Sequence, residues 1–187
     1  MLTKDMHKDE VESFLKGKGD FVKIDYLTRY IKTMPPIEMR KFAYLNLADI
    51  YIGKEMYVDA AGAFKNAAVN SVSFREKQEN FLKEAKSFIS GGKFDESDKA
   101  LRRAMDEASK NEKEEIYSQI LEFYKKEAEN LEKAVNKQGR LASLYEKMMR
   151  LKFQGNEKDK IKEKLLKVYE KLGKIKEYKI LKDIGRV

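Results

Sequence analysis

Few residues in this chain combine the type and spacing that chemistry needs. His7 is the single histidine. It stands near the N-terminus among lysines and acids, whereas a catalytic base needs an oriented partner and a metal site needs several donors. The chain has no cysteine, which removes thiol nucleophiles, thiolate metal sites and disulfides. Carboxylates gather at Glu112, Glu114 and Glu115 and again at Glu127, Glu129 and Glu132, with Lys113, Lys125, Lys126 and Lys133 interleaved. That alternation predicts i,i+4 ion pairs on solvated helix faces, and the Glu-x-x-His spacing of a carboxylate-bridged metal site is missing. Gly91-Gly92-Lys93 follows a helix-like run and lacks the rest of G-x-x-x-x-G-K-[ST], so it predicts a turn and not a phosphate loop. Aromatics interleaved with lysines, as in Phe123-Tyr124-Lys125-Lys126, match base stacking in type, but at helical spacing such a stripe reads as core. The expectation is a protein that is not an enzyme, with no cofactor and no metal.

The elements behind these residues must be helices. Of the 187 residues 39% are charged, only two are proline and ten are glycine, a composition that suits helices laced with ion pairs and leaves no room for an all-β fold. A hydrophobic share of 42% supports one folded domain spanning 1–187. No run approaches the ~20 apolar residues of a membrane helix, so no membrane insertion is expected, and the expected location is cytoplasmic. The net charge is +8, of which residues 152–187 contribute +6. That basic end suits solubility, an acidic partner or a polyanion.

An internal repeat orders the chain. In YLNLADIYIGKEMYVDAAGAFKNAA, residues 44–68, Leu47, Ala48 and Tyr51 fall on one helical face and Tyr57, Ala60, Phe64 and Ala67 on another. The pattern returns as Phe81, Ala85, Phe88, Phe94, Ser97, Leu101 and Ala104. It recurs more loosely as Val11, Leu15, Phe21, Ile24, Thr28 and Ile31, and near the C-terminus as Leu165, Tyr169, Leu172, Ile175 and Tyr178. Taking Ile24, Ala60, Ser97, Ala142 and Tyr178 as equivalent gives steps of 36, 37, 45 and 36 residues, the third carrying an insertion in an extended helix. Hairpins are expected at roughly 5–34, 38–70, 76–109, 112–153 and 157–184. Gly17, Gly53, Gly91-Gly92, Gly155 and Gly173 fall where a left-handed residue ends a helix, and Gly139 marks the late turn of the long hairpin. Small residues at 48, 60 and 67 then let helices approach closely while aromatics fill the gaps.

These residues resemble the tetratricopeptide repeat (TPR), a helix–turn–helix unit, and AAGAFKNAA also resembles the longer-helix repeats of the SNAP adaptors. The resemblance implies an all-α, right-handed solenoid of about five TPR-like hairpins. It also implies that first helices line a groove holding a partner's peptide or helix; the basic charge leaves an acidic or an amphipathic peptide as the candidates. The residues it points to are Leu45, Asn46, Asp49 and Ile52, then Leu82, Lys83 and Lys86, with Lys164 and Lys167 at the basic end and Asp9, Ser13 and Lys16 at the other. Asn46 and Lys83 match two positions of the family's carboxylate clamp, but Asp9, Ser13 and Glu79 place acid or hydroxyl groups at others, so that clamp is not implied. The expected function is an interaction scaffold or adaptor. The alternative is a nucleic-acid-binding helical repeat using Lys160, Lys164 and Lys167. The final helix leaves Ile180, Leu181 and Ile184 in need of cover, which predicts self-association.

Overall fold

The computed structural model describes residues 2–106, 108–134, 136–153 and 155–183. Within them the regular elements are ten helices and no strand: α1 (Lys8–Leu15), α2 (Asp20–Lys32), α3 (Ile37–Gly53), α4 (Tyr57–Val69), α5 (Phe74–Ser90), α6 (Phe94–Met105), α7 (Lys110–Lys133), α8 (Gln138–Met149), α9 (Glu157–Lys171) and α10 (Ile175–Asp183). The all-α reading holds. The chain divides into two compact units, Met1–Ile116 and Tyr117–Val187.

In the first unit successive helices from α2 to α6 pack against one another, and the contacts are made by very small side chains. Ala43 and Ala48 of α3, Ala60, Ala61, Ala67 and Ala68 of α4, and Ala85 of α5 are all wholly inaccessible to solvent. Helices whose facing residues are alanines approach closely, which excludes water and leaves no room for a larger side chain. Val11, Leu15, Leu27, Tyr30, Leu47 and Phe64 fill the remaining angles of one core. Phe14 of α1 meets Tyr26 of α2 edge to face at 4.9 Å.

The second unit packs α8 on α9 and α9 on α10. Its part of α7 buries Ile120, Tyr124, Ala128 and Leu131, spaced four, four and three apart as a helix face requires. Leu141, Tyr145 and Met148 of α8 and Ile161, Leu165, Val168 and Tyr169 of α9 are buried too. The 24-residue α7 is the extended helix that the longer repeat step predicts. Gly139 does not mark its turn; it lies in the first turn of α8.

Three turns share one hydrogen-bond pattern. Met56, Lys93 and Lys174 donate their backbone N–H to the carbonyls of Tyr51, Phe88 and Tyr169, five residues back, at 2.9, 2.8 and 2.9 Å. This closure requires a left-handed residue just before the donor. Gly92 (φ 70°) and Gly173 (φ 66°) supply it in two cases, but in the first it is Glu55, at φ 56°. Gly53, expected to take that role, is instead the last residue of α3. The glycine stands two positions too early, so the strain falls on a residue with a Cβ.

The four aligned positions that open second helices are not equally buried. Tyr57 and Phe94 are half-buried, while Phe21 is 70% exposed and Ile175 66% exposed. Tyr57 is covered by the following turn, where a Cβ on Gly91 would sit 3.3 Å from its own. At Tyr57 the partial burial comes with the α5–α6 turn lying against it. The expectation that Phe21 and Ile175 pack like Tyr57 is therefore corrected.

Candidate functional site

In the first unit a groove of about 500 Å³ opens between α1 and α3. Leu27 and Lys23 of α2 contribute to its lining, together with Asp9, Glu12 and Ser13 of α1, Lys16 just beyond it, and Asn46, Asp49 and Ile50 of α3. Stacking puts side chains that are 30 or more residues apart in sequence on facing walls. Asp9, Glu12 and Asp49 are exposed and form no ion pair among the described residues. Asn46 Nδ2 donates to the Phe42 carbonyl at 3.0 Å, a bond that leaves its Oδ1 acceptor unused.

The structure therefore brings Asn46 and Asp49 together with Asp9, Ser13 and Lys16. The other expected residues are placed differently. Leu45 is half-buried against the core, and Ile52 is 39% exposed at the end of α3. Leu82 is buried at 7% exposure and presents little to a partner. Lys83 is exposed, its ammonium 5.9 Å above the Phe64 ring. Lys86 is half-buried, and burial, then the charge of Lys83, pull its pKa below the usual lysine range. Glu12 and Lys23 line the groove without having been anticipated; Glu12 lies three residues from Asp9 on the same face of α1, which was the available signal.

The first unit also holds a buried carboxylate. Glu84 of α5 is 1% exposed. Its Oε1 accepts from Arg103 Nη2 of α6 at 2.7 Å, while Oε2 has no hydrogen-bond partner among the described residues. Burial pushes its pKa up, against the opposing charges of Arg103 and then Lys65. Arg103 also lies 5.4 Å from the Phe81 ring. The signal was a glutamate sitting on the apolar stripe of Phe81, Ala85 and Phe88.

In the second unit a hollow of about 210 Å³ is lined by residues of α7, α8 and α9, among them Lys125, Glu129, Tyr145, Lys160 and Lys164. Tyr145 donates its hydroxyl to Glu132, which also pairs with Lys164 at 3.0 Å. Tyr169 donates to Glu146 at 2.9 Å, and Lys174 lies 3.9 Å from that carboxylate. Both phenols are pushed well above their usual range, first by burial and then by the hydrogen bond to the carboxylate. Burial raises Glu132, but the bonds from Tyr145 and Lys164 outweigh it and hold the carboxyl below its ordinary value. Lys164 thus reaches the hollow already paired, while Lys167 is exposed and not part of its lining.

The carboxylate clusters behave partly otherwise than the sequence suggests. Glu127 pairs with Arg140 of α8 at 3.0 Å, and Lys125 reaches Glu157 of α9 as well as Glu122 at 2.8 Å. Glu127–Arg140 and Lys125–Glu157 thus connect helices, while Lys125–Glu122 pairs three residues apart along α7 as a solvated helix face predicts. Glu112 accepts from the Ser109 N–H at 2.7 Å and helps open α7. His7 likewise opens α1, its backbone N–H donating to Glu10 at 2.7 Å. The amides of Gly91, Gly92 and Lys93 are bonded to the carbonyls of Ser87, Ile89 and Phe88, so this turn has no amides left for a phosphate. No group of three or more potential metal ligands occurs among the described residues, and no described helix is long and apolar enough to cross a membrane. Compared with protein-family models, curated proteins and solved structures, the chain matches none.

Proposed function

We propose that this chain is an interaction scaffold whose α1–α3 groove holds a segment of another protein. Its helical pairs are taken as about five TPR-like repeats wound into a right-handed solenoid, working in the cytoplasm. The observation that supports this reading is the groove itself. Asn46 and Asp49, singled out by their place on a first helix, share it with Asp9, Ser13 and Lys16 of the preceding first helix. Charged and amide groups line an open trough with an apolar floor, and such a surface selects a peptide by side-chain pairing more than by area. The acidic partner expected from the basic composition fits this trough less well than a segment carrying a lysine or arginine, because Asp9, Glu12 and Asp49 outnumber Lys16 and Lys23.

The test is quantitative capture of partners from the native cell extract by the wild-type chain and by Asp49→Lys and Asn46→Arg. Each variant is expected to lose at least about tenfold of the captured partner, since a cation placed opposite the partner's own cation, by reversal at 49 or by addition at 46, costs more than one factor of ten. Partners retained with unchanged affinity by both variants would remove the groove from this role.

A further inference from the structure

We propose that α10 with the turn before it is a docking face for an anionic phospholipid bilayer, a role separate from the α1–α3 groove. The starting observation is the uncovered repeat position. Ile175 corresponds to Tyr57, which the next turn covers, yet Ile175 is 66% exposed. Ile180 is 64% exposed and Leu172 37% exposed, whereas Leu181 on the opposite side is buried. Within α10, steps of three and four residues join Ile175, Lys176, Lys179, Ile180 and Asp183 into one face, cationic on balance, and Leu172 lies in the turn just before it.

The charge on this face identifies what covers it. Lys171, Lys176 and Lys179 are exposed and form no ion pair among the described residues. An aliphatic strip carrying free ammonium groups is complementary to a surface that is apolar beneath and anionic above, which is the boundary of an acidic lipid leaflet. A second copy of the chain fits less well: a two-fold contact would bring Lys176 and Lys179 against their own copies, with like charges repelling. That weighs against the self-association expected of the final helix, for which Leu181 is already covered, Ile180 is free, and Ile184 lies outside the described residues. A nucleic acid would use the lysines and leave the isoleucines in water.

The experiment is co-sedimentation of the full chain with phosphatidylcholine vesicles containing about 30% phosphatidylserine, a composition chosen to give a strongly anionic surface, and with vesicles of phosphatidylcholine alone. Binding is expected only to the anionic vesicles and should weaken with salt. Ile175→Asp with Ile180→Asp should reduce it at least about tenfold, and each Lys→Glu at 171, 176 or 179 by about fivefold or more. All these side chains are exposed, and an unchanged helical circular dichroism spectrum confirms that the variants fold. Equal binding to neutral vesicles, no vesicle binding, or binding that ignores the isoleucines overturns the proposal. So does a concentration-dependent dimer that the double variant abolishes, or RNA binding that competes with vesicles and is insensitive to Ile175 and Ile180.

Discussion

The two units use the same kind of helix pair but hold their helices together differently. In Met1–Ile116 the helix contacts are lined by fully buried alanines, and the one buried carboxylate among the described residues, Glu84, has a single partner, Arg103, and an orphan oxygen. In Tyr117–Val187 polar groups bridge the helices: Glu132 is bonded by Tyr145 and Lys164, and Glu146 by Tyr169. Glu132 and Glu146 keep access to water as well as their donors, whereas the buried Glu84 depends wholly on its single donor. The difference teaches that one unit carries an imperfect ion pair inside its apolar core, while the other places its bridging carboxylates where water and several donors reach them.

The sharpest way to break this comparison is Arg103→Met. It strands Glu84, and the loss should be about 3 kcal/mol at pH 7, at the low end of the range because Arg103 is itself about one-third exposed. The sign with pH is set by the raised carboxyl. The folded state holds the proton more tightly than the unfolded chain does, so stability falls as pH rises above the ordinary carboxyl range. Removing Arg103 enlarges that raise, so the variant's deficit should shrink as pH is lowered toward 5. Urea unfolding followed by circular dichroism at pH 5 and 7, with hydrogen exchange locating the loss in α5 and α6, measures it. A deficit independent of pH would mean that Glu84 stays ionised regardless.

Tyr145→Phe should cost less, about 1 kcal/mol, because Glu132 keeps Lys164. The phenol's raised pKa also means that its contribution is fully present below the ordinary tyrosine range of about 10 and is lost as pH rises further. The variant should accordingly unfold with a shallower alkaline limb than the wild type. An identical limb would assign the alkaline loss to other groups.

The smallest effect concerns the shared turn. Glu55→Gly should stabilise the first unit by about 0.5–1 kcal/mol, since the left-handed backbone there costs an L-residue more than the glycine loses in chain entropy. Gly173→Ala, at the matching place in the second unit, should destabilise by a similar amount. Both shifts are readable in thermal unfolding. Changes of the same sign in the two variants would separate the turns, despite their common hydrogen bonds.

Much of this was legible in the sequence, and the limits have a physical cause. Helical periodicity is local, so the spacing of Leu47, Ala48, Tyr51, Ala60, Phe64 and Ala67 announced two helices and their packing faces, and the longer step announced the long α7. The positions Asn46 and Asp49 also followed from periodicity, since residues one step off a packing face point outward. Which outward residues share a groove did not follow. Asp9, Glu12 and Lys23 meet Asn46 and Asp49 only because α1 and α2 lie beside α3.

The sequence by itself determined the element type throughout, because 3.6-residue periodicity, few prolines and glycine-marked ends leave a helix as the one structure satisfying every backbone group. Only the tertiary structure decided the rest. It gave Glu84 to Arg103 and Glu132 to Tyr145 and Lys164, though nearer lysines existed along the chain. It covered Tyr57 and left Phe21 and Ile175 in water, though all three occupy one repeat position. It set the left-handed residue at Glu55 instead of Gly53. Each of these depends on which atoms a neighbouring helix or turn brings within a few ångströms, and distance across a fold is not written in spacing along a chain.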